Sequence, residues 1–420
     1  MNKLRICLYG IKGSGLAALA QYLDDYGVFV YGYDKGEELF TEAELKRRNI
    51  IYYPFSYFLK QQENCDIIIY STAYKENLKD IDKSKILMLE YHEILSFMME
   101  GKYVIGVSGT HGKTTTVGML DYLFDHKFSL IQGDGVGRYV SGAPVIMECC
   151  EYKDHFLLYR PKIGLILSVE LDHTDYFSSY NQYRESFKKF GKNCEKYYCY
   201  DLYHFDLTNE CLIGKKEDSY YHYNITKRGP EGFIINLYLG NKLIRGDKIP
   251  FVGEYMIKLY LFCLAVAEHF KMNLNLARNR IKKFKGVKRR FNIVKKSKTI
   301  YVDDYAHQPS QIENIYKTIT QMSPTYAKVL IFKPDRASRL HDFKDEFVKS
   351  FLLFDKTYIL NHDEDKEKLV QEIIEENPQI KRYSDSIGKD NNPCIYCFLS
   401  SKKVSNEIKQ VMINRGDLSI

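Results

Sequence analysis

Residues 103–116 read YVIGVSGTHGKTTT, and this stretch decides the fold. Its apolar first part predicts a buried strand, and its glycine-rich second part predicts a loop that leads into a helix at Lys113. Successive backbone N–H groups in a loop of this kind point inward and bind phosphate oxygens. Lys113 would neutralise the β- and γ-phosphates of a nucleotide, and the Thr114 hydroxyl would bind Mg²⁺. The stretch therefore predicts an α/β domain that binds a nucleotide.

This loop departs from the usual Gly-x-x-x-x-Gly-Lys-Ser/Thr pattern of nucleotide-binding loops. The first glycine of that pattern would fall at Val107, and Gly109 supplies the flexibility instead. A Gly-Lys-Thr sequence also occurs by chance, so a loop without a ligand is the alternative. The strand before the loop and the helix after it favour the nucleotide site.

Another glycine loop lies near the start of the chain, where residues 10–15 read GIKGSG. Apolar residues 4–9 predict a strand before this loop, and a helix after it is expected to end at Gly27. The next strand ends at Asp34, a position that can bind ribose hydroxyls. The glycine order is nevertheless not the Gly-x-Gly-x-x-Gly of dinucleotide sites. A dinucleotide site, a site for the diphosphate of another nucleotide and a plain tight turn are all left open.

The strand pattern starts for a third time at residues 299–302, after a strongly basic segment that covers residues 278–298. The basic segment is either a solvated helix and loop or a site for an anion. Further apolar runs alternate with helical stretches after this restart, at residues 329–332, 356–360 and 393–399.

These three restarts agree with the length, because 420 residues correspond to about three domains. We predict three α/β domains, namely an N-terminal Rossmann-like domain, a central P-loop-like domain and a C-terminal Rossmann-like domain. The predicted bounds are residues 1–100, 101–294 and 295–420, with the last boundary in the polar basic segment near residues 293–298.

Composition excludes several classes of protein. Hydrophobic residues make up 45% and charged residues 27% of the chain, which is enough apolar surface for folding and excludes extensive disorder. The longest apolar run, residues 259–267, is shorter than the about 20 residues of a membrane-spanning helix, so no membrane insertion is expected. The net charge of +7 does not by itself imply nucleic-acid binding, and none is expected.

Cysteine usage and the N-terminus bear on the compartment. Ten cysteines are too sparse for a disulfide scaffold, and they lack the spacing of a zinc site. The N-terminal residues mimic a signal peptide only superficially, because Lys12 and nearby glycines interrupt the apolar segment. We expect a cytoplasmic protein with reduced thiols.

Acidic and imidazole side chains follow two predicted strands of the central domain. Glu148 and Glu151 follow one strand, and Asp172, His173 and Asp175 follow the other. The carboxyl ends of strands in an open α/β sheet form the ligand crevice, so both groups should face the phosphate loop. Carboxylate and imidazole groups there can hold metal ions. The alternative is a set of surface acids with a capping histidine.

Two further candidates lie around the start of the third domain. Asp304 follows its first strand and could accept ribose hydroxyls, while a role in capping the next helix is the alternative. Arg290 lies just before that strand and could grip phosphates through its fixed fork of donors. A solvated basic linker is the alternative for Arg290.

Taken together, these motifs resemble those of the Mur ligase family. The motifs occur in the family's order over essentially the whole chain, and they are GIKGSGLAALA, SGTHGKTTT, ECCEYKDHFL, DHTDYF, GVKRRFN and DDYAHQP. The resemblance implies a cytoplasmic, ATP-dependent amide ligase of peptidoglycan precursor synthesis. Its expected partners are UDP-N-acetylmuramate, L-alanine and ATP, and the product would form through an acyl phosphate.

The resemblance also implies site residues. It assigns the UDP-sugar to Gly10, Gly13, Ser14, Gly15, Asp34 and Arg339. It assigns ATP to Gly109, Thr110, His111, Gly112, Lys113, Thr114, Thr115, Arg290, Asp304 and His307. It assigns two Mg²⁺ ions to Thr114, Glu148 and His173, and catalysis to Lys113, Glu148 and His173.

The chain departs from the family pattern at several positions. Residues 253–259 lack the two asparagines that read adenine in the family, and Asp335 replaces a histidine. Ser168 and Gln308 replace the family's asparagine and histidine, and residues 400–403 replace a glycine-rich turn. A degenerate paralogue that binds UDP-sugar or nucleotide without ligation is therefore the main alternative. An oxidoreductase that uses the first loop is a further one, but it leaves the second loop unexplained.

Overall fold

The computed structural model describes residues 4–36, 39–58, 65–79, 86–361, 363–388, 392–402 and 404–418. The described residues form two compact units. The first unit comprises Met1–Glu170, Asn181–Gly214 and Phe262–Phe284. The second unit comprises Leu171–Tyr180, Lys215–Leu261 and Lys285–Ile420.

The first unit contains an all-parallel sheet of order β3-β2-β1-β4-β5. The strands are β1 Arg5–Tyr9, β2 Phe29–Asp34, β3 Ile51–Pro54, β4 Ile67–Tyr70 and β5 Leu87–Glu90. The helices are α1 Ser14–Tyr26, α2 Glu42–Arg47 and α3 Tyr91–Met99. The strand order reverses beside β1, so the loop after β1 lies at the switch point where α/β sheets bind ligands.

A further sheet of the first unit has the order β12-β11-β10-β6-β9-β7-β8, parallel except for the β7–β8 pair. The strands are β6 Val104–Ser108, β7 Ser129–Ile131, β8 Gly137–Arg138, β9 Val145–Glu148, β10 Ile163–Ile166, β11 Lys196–Tyr200 and β12 Glu210–Gly214. The helices of this part of the sequence are α4 Lys113–Leu123, α5 Tyr180–Asn193, α6 Tyr255–His269 and α7 Leu274–Ile281. Strand β6 lies inside this sheet and leads into the loop at residues 108–112.

The second unit contains an antiparallel meander and a separate α/β sheet. The meander strands are β13 Tyr221–Gly229, β14 Gly232–Leu239 and β15 Lys242–Ile249. The sheet has the order β16-β17-β21-β18-β19-β20, with β16 Asn292–Lys296, β17 Thr299–Asp304, β18 Ala327–Phe332, β19 Lys356–Ile359, β20 Ile380–Arg382 and β21 Cys394–Leu399. Its helices are α8 Pro309–Met322, α9 Ala337–Asp342, α10 Lys344–Phe351, α11 Glu364–Glu376 and α12 Ser405–Asn414.

The three restarts predicted from the sequence therefore correspond to β1, β6 and β17, each followed by a loop and a helix. The α/β fold class is confirmed. All ten cysteines lie among the described residues, where none of them forms a disulfide. In the described part of the chain, no helix combines the length and apolar character that a bilayer crossing requires.

The polar basic segment at residues 293–298, in which we placed the last domain boundary, contains most of a strand. Strand β16 occupies most of this segment and pairs antiparallel with β17, from Asn292 opposite Asp303 to Lys296 opposite Thr299. Its residues are exposed along their whole length, so the hydrophobic pattern that marks a buried strand is missing. Lysines on such an edge strand discourage pairing with other chains. The boundary at residue 294 would cut this strand, and the three domain bounds stay predictions.

The Gly106→Ala substitution tests the packing of β6. A Cβ at Gly106 would lie 2.8 Å from the Pro161 Cγ and 2.9 Å from the Cys149 Sγ. We expect a loss of about 1–3 kcal/mol in the free energy of unfolding, because overpacking forces the neighbours to move. Thermal unfolding measures the effect, and Gly36→Ala is the control because a Cβ there meets nothing within 4 Å. Equal melting temperatures for the two variants would contradict the packing described for β6.

Candidate functional site

The loop between β6 and α4 has the backbone of an anion site. Gly109 and Gly112 have φ angles of +135° and +88°, a backbone conformation that residues with a Cβ rarely adopt. Gly112 is the N-cap of α4, and no side chain of a described residue caps it. The N–H groups of the first helical turn have no partner within a helix, so they are available to an anion such as phosphate.

Residues just after β10 hold this loop in shape. Thr110 donates its backbone N–H to the Ser168 carbonyl at 3.0 Å, and His111 donates its N–H to the Ser168 Oγ at 2.9 Å. The Thr110 hydroxyl bonds to the Glu170 carbonyl at 2.9 Å, and His111 Nε2 lies 3.2 Å from a Glu170 carboxylate oxygen. Ser168, which departs from the family pattern, thus organises the loop.

Lys113, in the first turn of α4, turns its ammonium group into the protein. Its Nζ donates to the Gly109 carbonyl and, at 2.9 Å, to the Glu151 carboxylate. Glu151 is 1% exposed, and its other oxygen accepts from the Tyr183 hydroxyl at 3.1 Å. Burial alone would lower the pKa of Lys113, but the adjacent Glu151 carboxylate outweighs it and raises that pKa above its ordinary value. Lys113 therefore stays protonated near neutral pH, as one half of an ion pair.

Glu148 ends strand β9, next to the loop that follows β6. The register pairs it with Val107, two residues before Gly109. Its Oε1 accepts the Gly133 backbone N–H at 2.5 Å. Thr114 lies in the first turn of α4 and is 3% exposed. A carboxylate and a hydroxyl are oxygen ligands of the kind that Mg²⁺ prefers, so these residues fit the predicted metal.

The first glycine loop also opens onto a helix N-terminus. Gly10 has a φ of +93° and donates its N–H to the Tyr33 carbonyl at 2.8 Å. Gly13 is the N-cap of α1, again with no side-chain cap from a described residue, and Ser14 and Gly15 begin the helix. A Cβ on Gly15 would lie 2.7 Å from the ring of Tyr91. This loop therefore also has a backbone suited to an anion, and a ring packs against its last glycine.

The lysine of the first loop points away from any such anion. Lys12 is 5% exposed, and its Nζ contacts the Glu42 carboxylate at 2.9 Å and the Lys35 carbonyl at 2.8 Å. Asp34 accepts the backbone N–H groups of Lys12 and Lys35, each at 2.7 Å. Asp34 thus shapes the loop through both carboxylate oxygens. Its predicted contact with a ribose stays a prediction.

In the second unit, His173 follows a buried carboxylate that is already paired. Asp172 accepts the His173 backbone N–H at 2.7 Å and the Arg339 guanidinium at 2.9 Å. Arg339 is 6% exposed and also pairs with Asp335 at 2.8 Å. Burial would raise the pKa of Asp172, but His173 and Arg339 hold it well below its ordinary value. Asp172 and Asp335 therefore compensate the charge of Arg339.

Asp304 and His307 lie in the loop between β17 and α8. The Asp304 carboxylate accepts the backbone N–H groups of Phe291 at 2.6 Å and Ala306 at 2.7 Å, and burial raises its pKa. Burial, followed by the nearby Arg339, lowers the pKa of His307 to about 4. His307 is therefore neutral near pH 7, and Asp304 shapes its loop in the way that Asp34 does.

Arg290 packs its guanidinium carbon 4.5 Å from the centre of the Tyr305 ring. Its neighbour Arg289 donates to the carbonyls of Ser400 and Lys402, each at 2.6 Å. The basic segment is thus partly a set of structural contacts and not a solvated linker. Lys403, the last residue of the altered turn, lies outside the described residues.

The structure thus gathers the predicted residues into separate sets. In the first unit, the loop at 109–115 and Glu148 share one edge of one sheet, and the loop at 10–15 follows β1 of the other. The second unit contains His173, Arg290, Asp304, His307 and Arg339. Sequence reasoning noted Glu151 as a strand-end acid but missed its pairing with Lys113, and it missed Tyr183. No local pattern marks a tyrosine that completes a carboxylate on another element.

Comparison with known proteins adds to this geometry. Residues 289–388 match the family model for the "Mur ligase, glutamate ligase domain". UDP-N-acetylmuramate–alanine ligase MurC from Thermotoga maritima aligns over 98% of this chain and 99% of its own, with a TM-score of 0.82 and 20% identity. The chain has the fold of the Mur ligases. The resemblance to the Mur ligase family is thereby confirmed.

Other solved Mur ligases also share the fold, at similarly low sequence identity. A murein peptide ligase from Psychrobacter arcticus aligns over 99% of this chain and 100% of its own, with a TM-score of 0.72 and 16% identity. The MurF ligase from Thermotoga maritima, solved with ADP, aligns over 95% of this chain and 97% of its own, with a TM-score of 0.65 and 15% identity. Because these proteins are named for different activities, the similarity supports the Mur ligase fold but does not indicate a particular substrate.

The Glu42→Gln substitution tests the buried pair beneath the first loop. Burial would raise the pKa of Glu42, but the hydrogen bond from Lys12, followed by others, lowers it from 4.5 to about 2. A lowered carboxylate pKa stabilises the fold above about pH 4.5, and this stability is lost as the pH falls toward 2. We expect the variant to lose about 3–5 kcal/mol at pH 7, because the buried ammonium group of Lys12 loses its carboxylate partner.

Thermal unfolding across pH 7 to 3 measures this effect. Between pH 4.5 and 3, the melting temperature should fall less steeply in Glu42→Gln than in the unmodified protein. Glu44→Gln is the control, because its surface pair with Arg47 contributes at most about 1 kcal/mol. Parallel pH curves for Glu42→Gln and the unmodified protein would show that the pair does not stabilise the fold.

Proposed function

We propose that the protein is a cytoplasmic, ATP-dependent ligase that joins L-alanine to the carboxylate of UDP-N-acetylmuramate. The observation that carries the proposal is the loop at 109–115. There the partly buried Lys113 lies beside Glu148 at a helix N-terminus that no side chain of a described residue caps. A site of this kind suits a nucleotide triphosphate, because it offers positive charge and aligned N–H groups. The Mur ligase fold supports the assignment of the reaction class.

The chemistry explains the need for a nucleotide. A carboxylate is a poor electrophile, so one of its oxygens first attacks the γ-phosphorus of ATP and ADP leaves. The resulting acyl phosphate has a good leaving group. The amine nitrogen of the amino acid then attacks the acyl carbon, loses a proton and expels inorganic phosphate. An amide bond has formed, and one ATP has become ADP and phosphate.

Lys113 has the central role in the first step. Two anions, the carboxylate and the triphosphate, must approach each other, and a fixed positive charge lowers their repulsion. In the structure Lys113 is satisfied by Glu151 and the Gly109 carbonyl. Phosphate oxygens of ATP would take over from the Gly109 carbonyl, while Glu151 keeps the ammonium group protonated and oriented.

Thr114 and Glu148 would hold one Mg²⁺, and His173 a second. Bound Mg²⁺ supplies positive charge to the phosphate oxygens. The chain's own contribution is to orient these ligands. Gly133 fixes one oxygen of Glu148, and Asp172 accepts the backbone N–H of His173. Such outer contacts set the direction in which a ligand points.

The first loop would bind the diphosphate of the UDP-sugar through backbone N–H groups of Ser14 and Gly15. Lys12 takes no part, because Glu42 holds its charge. The contacts of Arg339 do not support its assignment to the UDP-sugar, because two carboxylates already engage it. We assign Arg339 instead to the support of Asp172 and so of His173. Arg290, Asp304 and His307 remain the proposed ATP contacts of the second unit.

A substrate-omission assay of inorganic phosphate tests the proposal. Phosphate release should require UDP-N-acetylmuramate, L-alanine, ATP and Mg²⁺ together, and omission of any one should abolish it. Replacing L-alanine by glycine, L-serine or a dipeptide tests the amino acid preference in the same assay. If no amino acid stimulates release in any complete mixture, the ligase proposal fails.

A degenerate paralogue is the second candidate, and one observation favours it. In the segment 253–259, Met256 and Leu259 stand where the family carries its two asparagines, and Glu254 forms ion pairs with Arg228 and Lys215. Two apolar side chains offer no hydrogen bond to the edge of a base. Calorimetry that finds tight UDP-sugar binding together with zero turnover would favour this candidate over the ligase.

The Lys113→Ala substitution tests the role of the loop. Loss of the charge should reduce turnover by at least about 10²-fold, as for other groups that stabilise transition-state charge. Lys127→Ala, which removes an exposed lysine just after α4, is the control and should leave the rate unchanged. Circular dichroism should confirm that both variants are folded. A near-normal rate for folded Lys113→Ala would overturn the role given to this residue.

A further inference from the structure

The loop between β7 and β8 connects the two glycine-loop regions of the first unit. We define residues 132–138, which read QGDGVGR, as the strap. The strap folds on itself: Gln132 donates its N–H to the Val136 carbonyl at 3.0 Å, and Gly135 donates to the Gln132 carbonyl at 3.2 Å. Asp134 accepts the Val136 N–H at 3.2 Å. It is thus an ordered turn with its own hydrogen bonds.

One side of the strap lies against Glu148. The Gly133 N–H donates to Oε1 of this carboxylate at 2.5 Å. A Cβ on Gly133 would lie 2.5 Å from Oε2 and 2.6 Å from Oε1. The strap backbone therefore donates to one oxygen of Glu148, and the carboxylate leaves no room for a Cβ at this position, so only a glycine permits this approach. The orientation of the carboxylate depends on where the strap is held.

The other side of the strap lies against α1, the helix that begins at the first glycine loop. Gln21 of α1 is 1% exposed and donates its Nε2 to the Gly135 carbonyl at 2.5 Å. Its Oε1 accepts the Gly137 N–H at 3.3 Å. A Cβ on Gly137 would lie 1.8 Å from the Ala18 carbonyl oxygen, so the strap and the helix meet backbone to backbone.

Further contacts reinforce this side. The Tyr139 N–H, just after the strap, donates to Asp25 at 3.2 Å, and its ring meets Tyr22 and Tyr26 edge to face. Gln21 is distinct among the residues that contact the strap region, because its buried amide both donates a hydrogen bond to the strap and accepts one from it. Its Nε2 also reaches the Ala17 carbonyl of its own helix at 3.0 Å. Its rotamer is therefore fixed from both sides.

We propose that Gln21 is a positioning residue for Glu148. It ties the strap to α1, and the strap fixes the carboxylate through Gly133, so the divalent-cation site depends on the helix that carries the first anion loop. The inference rests on the proposed function, because it takes Glu148 as a ligand of the divalent cation that accompanies the nucleotide. It assigns to Gln21 no contact with any substrate.

The Gln21→Met substitution tests this proposal, because it keeps the length of the side chain and removes both polar contacts. Binding of Mn²⁺ in the presence of a non-hydrolysable ATP analogue, followed by electron paramagnetic resonance, should weaken by about tenfold, as when outer partners of metal ligands are removed. Binding of UDP, measured by calorimetry, should stay within about twofold, because the first loop itself is intact. The value of kcat should fall while the KM for the UDP-sugar stays nearly constant.

Leu45→Ala is the matched control, since Leu45 is fully buried on α2, a helix of the same unit as Gln21. It should lower the melting temperature, and it removes none of the hydrogen bonds that join Gln21 to the strap. If Gln21→Met binds Mn²⁺ as well as the unmodified protein, or loses no more affinity than Leu45→Ala, the positioning role is overturned. If the unmodified protein binds neither Mn²⁺ with nucleotide nor UDP, the proposed function fails instead.

Gly133→Ala approaches the same claim from the other side, and it serves if Gln21→Met does not fold. Its Cβ would push against Glu148 and leave the contacts of Gln21 with the strap in place. It should weaken Mn²⁺ binding by about tenfold as well. Unchanged Mn²⁺ binding in folded Gly133→Ala would overturn the proposal, because the strap would then have no hold on the carboxylate.

Discussion

The buried ion pair between Lys113 and Glu151 is the constraint on which the central site depends. An ammonium group removed from water must be paired and hydrogen-bonded, and loss of either partner leaves an uncompensated charge. Glu151 meets this demand from the loop after β9, and Tyr183 on α5 satisfies its second oxygen. The pair therefore fixes the separation of elements around the phosphate loop. A stable positive charge in that loop is the product of this arrangement.

The two glycine loops have the same backbone arrangement, but their lysines contact different parts of the chain. Both follow the first strand of a parallel sheet and both lead into a helix without a side-chain cap from a described residue. Each lysine is paired with a carboxylate, Lys113 with Glu151 and Lys12 with Glu42. Lys113 also donates to the Gly109 carbonyl of its own loop, whereas Lys12 donates to the Lys35 carbonyl outside its loop. This difference accords with the proposed binding of a triphosphate at the second loop and of a diphosphate at the first.

The sequence was sufficient where structure depends on near neighbours. Apolar runs and glycines predicted β1, β6 and β17 with their loops, because consecutive residues determine a buried strand or a tight turn. It failed for β16, whose exposed lysines carry no apolar pattern, and it made no prediction for the meander at 221–249. A strand on an edge obtains its stability from the partner strand, which local periodicity does not report.

The residue types of the candidate site could be predicted from the sequence, but most of their hydrogen-bond and ion-pair partners could not. Lys113, Thr114 and Glu148 were identified from motif and strand position, but the pairing of Asp172 with Arg339 joins residues 167 positions apart. Asp34 and Asp304 were expected to bind ribose, and the structure adds that both accept backbone N–H groups. These hydrogen bonds join residues that local sequence patterns do not connect.

The central claim is that the phosphate loop activates a carboxylate as an acyl phosphate. Its most direct test uses UDP-N-acetylmuramate labelled with ¹⁸O in the lactyl carboxylate, with mass analysis of the phosphate released during turnover with L-alanine. The account predicts that each phosphate carries one ¹⁸O atom, because the oxygen that attacks the γ-phosphorus leaves with it. Phosphate free of ¹⁸O, formed together with the amide product, would contradict the account.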